Sequence, residues 1–544
     1  MSAVLFHGGR VHVGNGTSAE ALLARDGRIV AIGRATDLAK DAGPAERIDL
    51  RGGLMVPGWA DAHVHFVWWA QQMRRIDVSD TSTVEEALAR VDAHARSLPE
   101  GRWILGGRFD KNRWGRWPTA RELDRVSHGH PAALRSRDGH SRWLNSRALE
   151  LAGIRSGTSV PDRERVIRDA TTFSFQLEQA VAGGVVEVDD AGEPTGVLKE
   201  NANALVDRIL PQPDATERYG SAVAGQKEAW TRGITAIGDL DNFAGTIPLE
   251  AFERMRDRGE LGMRVHVGLP FARLDEAIAL GLRTGFGDEW LRVGPLKIFT
   301  DGALGSQTAA LEEPYEGTAD RGILTIEPGP LTDAVARAAA AGIAVAIHAI
   351  GDRAVHVALD AIAPTRATAP HLRQRLEHVQ LVREDDLGRF GELGVIASMQ
   401  PIHATSDRDL ADRHWGPKRT ARAYPWRTLR DRGAVLAFGS DAPVEPIDPL
   451  LGIHAAVTRM RPTDDGPWHA EQAISLDEAL AAYSAGIAHA LGRERELGTL
   501  EAGKRCDATV VETDLSRVPP REWPGVKVRA TITDGVVRYE SGLG

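Results

Sequence analysis

Val56-Pro57-Gly58-Trp59-Ala60-Asp61-Ala62-His63-Val64-His65 is the stretch from which the rest of this chain is best read. A Pro-Gly break precedes a short apolar run that ends in two histidines one residue apart. In a β-strand, side chains at i and i+2 share a face, so His63 and His65 can aim two imidazoles at one point. Imidazole is the commonest protein ligand for zinc-like metals. Alone, His-x-His fits two partly exposed loop histidines equally well. The sequence further along supplies the partners that a metal site needs.

Near-continuous apolar runs recur downstream, separated by Ala-rich segments with charged faces. They are 233–239, 263–269, 296–299, 343–348, 376–379, 395–399 and 435–441. Strands that are apolar on both faces and alternate with helices indicate a parallel sheet covered on both sides. With the run ending at His63 they make eight units, which predicts a closed (β/α)₈ barrel with its site at the C-terminal strand ends. An open doubly wound sheet is the alternative, but the chain has no Gly-rich phosphate fingerprint to favour it.

The ends of the chain are written differently. Short β-rich runs flank Asp26-Gly27 and Asp534-Gly535, both strong hairpin signals. Residues 1–57 and 497–544 are expected to build one composite β-sandwich, and 58–496 the barrel. Residues 70–215 read as an insertion after the first barrel strand. The insertion is rich in tryptophan (Trp103, Trp114, Trp117, Trp143), following Trp68 and Trp69. That density fits a second core and a pocket wall for an apolar or aromatic substrate equally well.

Composition narrows the function. The chain has 544 residues, a net charge of -10 and a charged fraction of 26%. This balance argues against a nucleic-acid partner, which needs a basic surface. No apolar run reaches the roughly 18 residues that span a bilayer, so no membrane association is expected. The N-terminus lacks a secretory pattern, and Cys506 is the single cysteine, so the expected location is cytoplasmic. Cys506 reads as a small buried side chain.

The chemistry collects where the strands end. Lys297 lies in the fourth run, His348 ends the fifth, His378 the sixth, and Asp441 follows the eighth. Each has an ordinary explanation, a satisfied buried histidine or a turn aspartate. Together they fall at the same end of successive strands. Lys297 sits between apolar neighbours, where an unpaired ammonium carries a large desolvation cost. It reads either as the ion-pair partner of Asp301 or Glu377, or as a neutral amine able to take up carbon dioxide and become a carbamate.

The motifs 56–65, Arg-Asp-Gly-His (137–140), Leu-Asn-Ser-Arg-Ala-Leu (144–149), Glu-Pro-Thr-Gly-Val-Leu (193–198), Lys-Ile-Phe-Thr-Asp-Gly-Ala-Leu-Gly-Ser (297–306), His-Ala-Ile-Gly-Asp-Arg-Ala (348–354), Arg-Leu-Glu-His (375–378), Ser-Met-Gln-Pro (398–401) and Gly-Ser-Asp-Ala-Pro (439–443) run nearly end to end. In this pattern the chain resembles the amidohydrolase superfamily, specifically the amidohydrolase-3 family that includes the N-substituted formamide deformylases. The resemblance implies a metal-dependent hydrolase on a (β/α)₈ barrel with a small β-sandwich. It implies a metal set of His63, His65, Lys297, His348, His378 and Asp441, holding one or two divalent cations, zinc being the expected metal. In a two-metal member Lys297 would be the carboxylated bridge. Ala303 and Gln307 stand where the family usually has Ser and Arg, which touches the substrate pocket rather than the metal set.

On that basis two cations about 3.5–4 Å apart would activate a shared water. Asp441 would shuttle its proton to the departing nitrogen of a linear amide such as an N-formyl or N-acyl amine. His140, His403 and Arg353 are candidate substrate contacts. The implied partner is a small molecule with an apolar or aromatic group, and the family analogy suggests a homodimer. Hydrolysis of a cyclic amide or carbamate is the second reading. A barrel retained only for interaction is the third, and isomerase or decarboxylase chemistry on the same site a fourth.

Overall fold

In the computed structural model the chain is described at residues 3–14, 16–73, 75–136, 141–158, 184–207, 209–241, 248–305 and 307–543. Eight parallel strands form its central sheet. They are β1 (Trp59–Val64), β2 (Ile234–Asp239), β3 (Arg264–Pro270), β4 (Leu291–Phe299), β5 (Val345–Ala349), β6 (Arg375–His378), β7 (Ile396–Met399) and β8 (Leu436–Phe438). Each pairs in parallel with the next in the chain. These are the eight runs expected from sequence, with β4 starting earlier, at Leu291.

The seam of the ring lies between β1 and the segment that follows β8. The Asp441 amide donates to the His63 carbonyl at 2.7 Å, and the His65 amide donates to the Ala442 carbonyl at 2.9 Å. The buried Asp61 carboxylate reinforces the join. It accepts from the Ser440 hydroxyl at 2.6 Å, the Ser440 amide at 3.1 Å and the His63 amide at 3.0 Å. Only glycine fits at 439, because a Cβ there would lie 2.6 Å from Asp61 Oδ1 and 2.7 Å from the His63 nitrogen. These contacts close the sheet into a barrel and press Asp441 against the two early histidines.

Strand alternation separates the two faces of the barrel wall. Leu296 and Ile298 of β4, Val345, Ile347 and Ala349 of β5, and Leu376 of β6 enter one apolar layer with Leu331, Val335 and Ala338 of the helix Pro328–Ala340. Each such Leu, Ile or Val contributes about 1.5–3 kcal/mol on leaving water. With a period of two, Lys297, His348 and Glu377 between them face the barrel interior.

The terminal strands form two stacked sheets. One has the order Arg28–Gly33, Ala21–Arg25, Ala3–His7, Glu46–Asp49. The other has the order Val536–Glu540, Val528–Thr533, Ala508–Val511, Leu54–Pro57, Arg10–Gly14, Thr17–Ala19, so strands from both ends of the chain share it. Phe6, Leu22 and Ile29 from the first meet Val11, Met55, Val510 and Ile532 from the second in one core. Asp26-Gly27 and Asp534-Gly535 adopt positive φ at both positions (48° and 80°, 51° and 71°), as tight hairpin turns demand. Arg264, at the start of β3, donates to Asp507 at 2.6 and 2.9 Å and to Asp534 at 2.6 Å, pinning this layer to the barrel.

The described residues between Ala70 and Ser221 make a second compact unit. Its mixed sheet runs Gly184–Val188, Pro194–Glu200, Ser141–Leu144, Ala132–Ser136, Ile104–Phe109, Ile76–Asp77. Trp143 is fully buried there beside Phe109, Val84 and Leu134, with Trp114 and Trp117 packed against the same cluster. Trp103 packs against a neighbouring cluster around Leu144 and Leu198. Within this unit the tryptophans are core residues. Among the described residues no helix is long and apolar enough to cross a membrane.

Replacing Arg264 with alanine would leave the buried Asp507 carboxylate without this cation and Asp534 with Arg505 alone. The expected cost is about 3–5 kcal/mol, read as a lower midpoint in urea unfolding. A midpoint shift below the equivalent of about 1 kcal/mol would show that the pair does not anchor the sandwich.

Candidate metal centre

Five imidazoles, two carboxylates and one amine meet at the C-terminal mouth of the barrel. His63 lies in β1 and His65 directly follows it, and their Nε2 atoms lie 3.4 and 3.1 Å from the same Asp441 oxygen, Oδ1. The His63 ring is 4.9 Å from that of His378, and His378 is 4.5 Å from His348. His403, on the short helix Pro401–Ser406 after β7, stacks on His378 at 6.0 Å, with its Nε2 3.7 Å from Asp441 Oδ2. Lys297 is buried among them, its Nζ without a hydrogen-bond partner among the described residues.

The backbone bends to permit this. His378 sits at φ 73° and Asp441 at φ 58°, both in the left-handed region that side chains seldom adopt. At His378 this undoes strand alternation, so Glu377 and His378, adjacent in sequence, both contribute to the mouth. Asp441 holds its conformation through the seam bonds described above. Such strain collects at functional sites, where surrounding contacts enforce it.

The outer contacts of the histidines fix which nitrogen carries hydrogen. His63 Nδ1 lies 2.8 Å from Glu377 Oε2, His378 Nδ1 lies 2.8 Å from Gln400 Oε1, and His348 Nε2 lies 2.9 Å from the Gly302 carbonyl. Each outer partner is an acceptor, so each neutral ring donates outward and turns a lone pair inward. Burial depresses all three, with Lys297 adding to the effect at His63 and His348: His63 falls to about 4, His348 to about 3, and His378 well below its ordinary value.

Burial alone would raise the carboxyl of Glu377, but Arg375 and His63 outweigh it and bring it to about 2. Asp441 is buried as well, and its carboxylate faces the imidazoles of His63 and His65. The site therefore places anionic oxygens against neutral lone pairs. His63 Nε2 and Asp441 Oδ1 are two acceptors facing each other with no hydrogen between them, an arrangement that a cation resolves. His63, His65 and Asp441 have ligand atoms mutually close enough to share one ion, and so do His378, His403 and Asp441. Nitrogen and carboxylate donors of this kind suit zinc and related divalent metals.

Lys297 is not the partner of Asp301. That carboxylate accepts the amides of Gly351 (2.8 Å), Ala310 (2.9 Å) and Ile350 (3.1 Å), tying together the loops after β4 and β5. Burial pulls the Lys297 ammonium down to about 8, against the opposing fields of Glu377 and Asp441. At that value the amine is neutral in an appreciable fraction of molecules near neutrality, the form that reacts with carbon dioxide.

A sequence model described as the amidohydrolase family matches residues 46–539. The chain belongs to the amidohydrolase family. Among its relatives, N-substituted formamide deformylase of Arthrobacter pascens is 30% identical, across 96% of this chain and 95% of that protein. Protein LONG AFTER FAR-RED 3 of Arabidopsis thaliana is 32% identical, across 91% and 84%. The crystal structure of an uncharacterized metal-dependent hydrolase from Pyrococcus furiosus superposes with a TM-score of 0.73 at 28% identity, covering 94% of this chain and 99% of that one.

Of the residues singled out from sequence, this amidohydrolase gathers His63, His65, Lys297, His348, His378, Asp441 and His403 at the barrel mouth. Arg353 stands apart: it is exposed, and its recorded hydrogen bonds are made by its backbone amide, to the Ala310 carbonyl and Asp352. His140 lies outside the described residues. Gln307, another departure noted above, ties the loop after β4 to His414 through a 2.7 Å contact.

Glu377, Gln400 and Asp61 orient the cluster but were not singled out as site residues. The one available signal was their adjacency to His378, to the Pro401 helix start and to His63. Replacing Gln400 with leucine removes the acceptor that orients His378. Metal affinity is expected to fall by about 10–100-fold, measured by chelator competition, with unfolding behaviour little changed. Unaltered affinity would show that Gln400 does not set the His378 ring.

Proposed function

We propose that this amidohydrolase is a metal-dependent hydrolase of a linear carbon–nitrogen bond, such as that of an N-formyl or N-acyl amine. The observation that carries the reading is the opposition of His63 Nε2 and Asp441 Oδ1 at 3.4 Å beside a buried Lys297 whose Nζ has no hydrogen-bond partner among the described residues. His63, His65 and Asp441 would hold one divalent cation, zinc in the simplest case, and His348 and His378 a second. Lys297, carboxylated on Nζ, would add an oxygen ligand to this set. When bound, such ions supply Lewis acidity toward a carbonyl oxygen and lower the pKa of water toward about 7.

The chain's own residues do the rest. Asp441 lies beside both histidine groups and is anchored by its amide to the seam, so its carboxylate is placed to take a proton from the attacking water. The water oxygen bonds to the amide carbon, and the C–N bond breaks as Asp441 returns that proton to the leaving nitrogen. An amide nitrogen leaves poorly without this proton, so Asp441 serves as base and then as acid. Glu377 and Gln400 keep the imidazoles in the tautomer that leaves their lone pairs inward.

Two aromatic rings flank the cluster. Trp68 lies edge-on to His65 at 5.8 Å, and Phe299 lies 5.1 Å from His348. They support a substrate carrying an apolar or aromatic group on one side of its amide; the relative named N-substituted formamide deformylase supports a linear amide as the bond cleaved.

The test pairs metal analysis with turnover on a panel of N-formyl and N-acyl amines and cyclic amides. One or two divalent ions per chain and release of the free amine from linear substrates are expected. Asp441→Asn should lower kcat by about 10²–10⁴-fold in molecules that retain metal. Hydrolysis confined to rings, or near-normal kcat in metal-loaded Asp441→Asn, would overturn the reading.

A further inference from the structure

Four histidines of the mouth have an outer nitrogen engaged by a neighbouring group, and at one of them that neighbour has the opposite polarity. Glu377, Gly302 and Gln400 each offer an acceptor to His63, His348 and His378. At His403 the neighbour is the Gln380 amide nitrogen, 3.4 Å from Nδ1. An amide nitrogen only donates, so Nδ1 accepts, and the single hydrogen of the neutral ring is left on Nε2. That atom points toward Asp441 Oδ2 at 3.7 Å. A hydrogen there is complementary to the carboxylate, whereas a second lone pair would oppose it. His378 and His403 thus stack with ring planes only 10° apart while carrying their hydrogens on different nitrogens.

We propose that His403 is a catalytic hydrogen-bond donor to the substrate's carbonyl oxygen, and not a cation ligand. The proposal rests on the hydrolase reading above and adds a role to it. A ring nitrogen bearing hydrogen has no lone pair for a metal, even though His378, His403 and Asp441 are close enough together to share one. The N–H instead lies on the Oδ2 side of Asp441, away from the Oδ1 that faces His63 and His65. As the amide carbon becomes tetrahedral its oxygen gains negative charge, and a preplaced donor in a buried site stabilises that charge more than it stabilises the starting carbonyl. His403 is itself buried, and its helix starts at Pro401, so the donor is held before substrate arrives.

The experiment compares His403→Phe, which removes the donor, with His403→Gln, which restores an N–H of similar reach. Metal per chain and the visible absorption of the cobalt-loaded protein are read beside kcat and KM on the best amide of the panel. Both variants are expected to keep wild-type metal content and an unchanged cobalt spectrum. His403→Phe is expected to lose about 10²–10³-fold in kcat, with His403→Gln recovering part of it. Loss of a metal equivalent, an altered cobalt spectrum, or a kcat within twofold of wild type in His403→Phe would overturn the proposal. Long-range ¹H–¹⁵N spectra of the histidine-labelled wild-type protein, assigned against either variant, read the tautomer without any substrate. Hydrogen on Nε2 is expected, and hydrogen on Nδ1 overturns the proposal. A wild-type protein that binds metal and shows this tautomer but cleaves no amide would defeat the hydrolase reading instead, and the catalytic role with it.

Discussion

A neutral imidazole nitrogen and a carboxylate oxygen confront each other across 3.4 Å at the mouth of the barrel, both with lone pairs and neither with a hydrogen to share. Everything nearby is arranged to keep that opposition in place. Glu377 holds the hydrogen of His63 on the far side of the ring, and burial holds the ring neutral. Bringing such groups together without a counter-ion costs free energy on both desolvation and repulsion. The fold therefore stores an unfavourable arrangement that a divalent ion relieves, which is the general way in which metal affinity is built into a scaffold.

The seam of the barrel is the device that enforces it. Asp441 lies after the last strand and His63 near the end of the first, so they are separated by almost the whole barrel sequence. Asp61 accepting from Ser440, Gly439 passing within contact of β1, and the paired amide bonds at His63 and His65 convert ring closure into site assembly. Closure and site are thus one structural event. The composite sandwich supports it from the other end of the barrel, where Leu54–Pro57 runs into β1 and Arg264 reaches Asp507 and Asp534. The apolar layer between strands and helices supplies the bulk stabilisation that lets a cluster of buried polar groups be tolerated.

Much of this could be read along the chain. Apolar runs of strand length announce β2 to β8, and the position of His348, His378 and Asp441 at the ends of their runs places them at one rim once the strands are parallel. Asp26-Gly27 and Asp534-Gly535 signal hairpins because tight two-residue turns need positive φ. What the pattern conceals is what depends on departures from it. Strand periodicity sends Glu377 and His378 to opposite faces, and the left-handed backbone at His378 brings them back together. The pairing of Asp61 with Ser440 spans the full circumference, and no local spacing encodes it. Gln380 and Gln400 look alike as glutamines near strand ends, yet the atom each turns to its histidine gives the two rings different hydrogen polarity. Aromatic density between residues 103 and 143 was ambiguous in sequence, because a second core and a pocket wall use the same side chains.

The most direct test is the anomalous scattering of crystals grown with zinc. The account requires a peak at coordination distance, about 2.0–2.2 Å, from both His63 Nε2 and an oxygen of Asp441. Crystals saturated with zinc that show no density between those two atoms would contradict it.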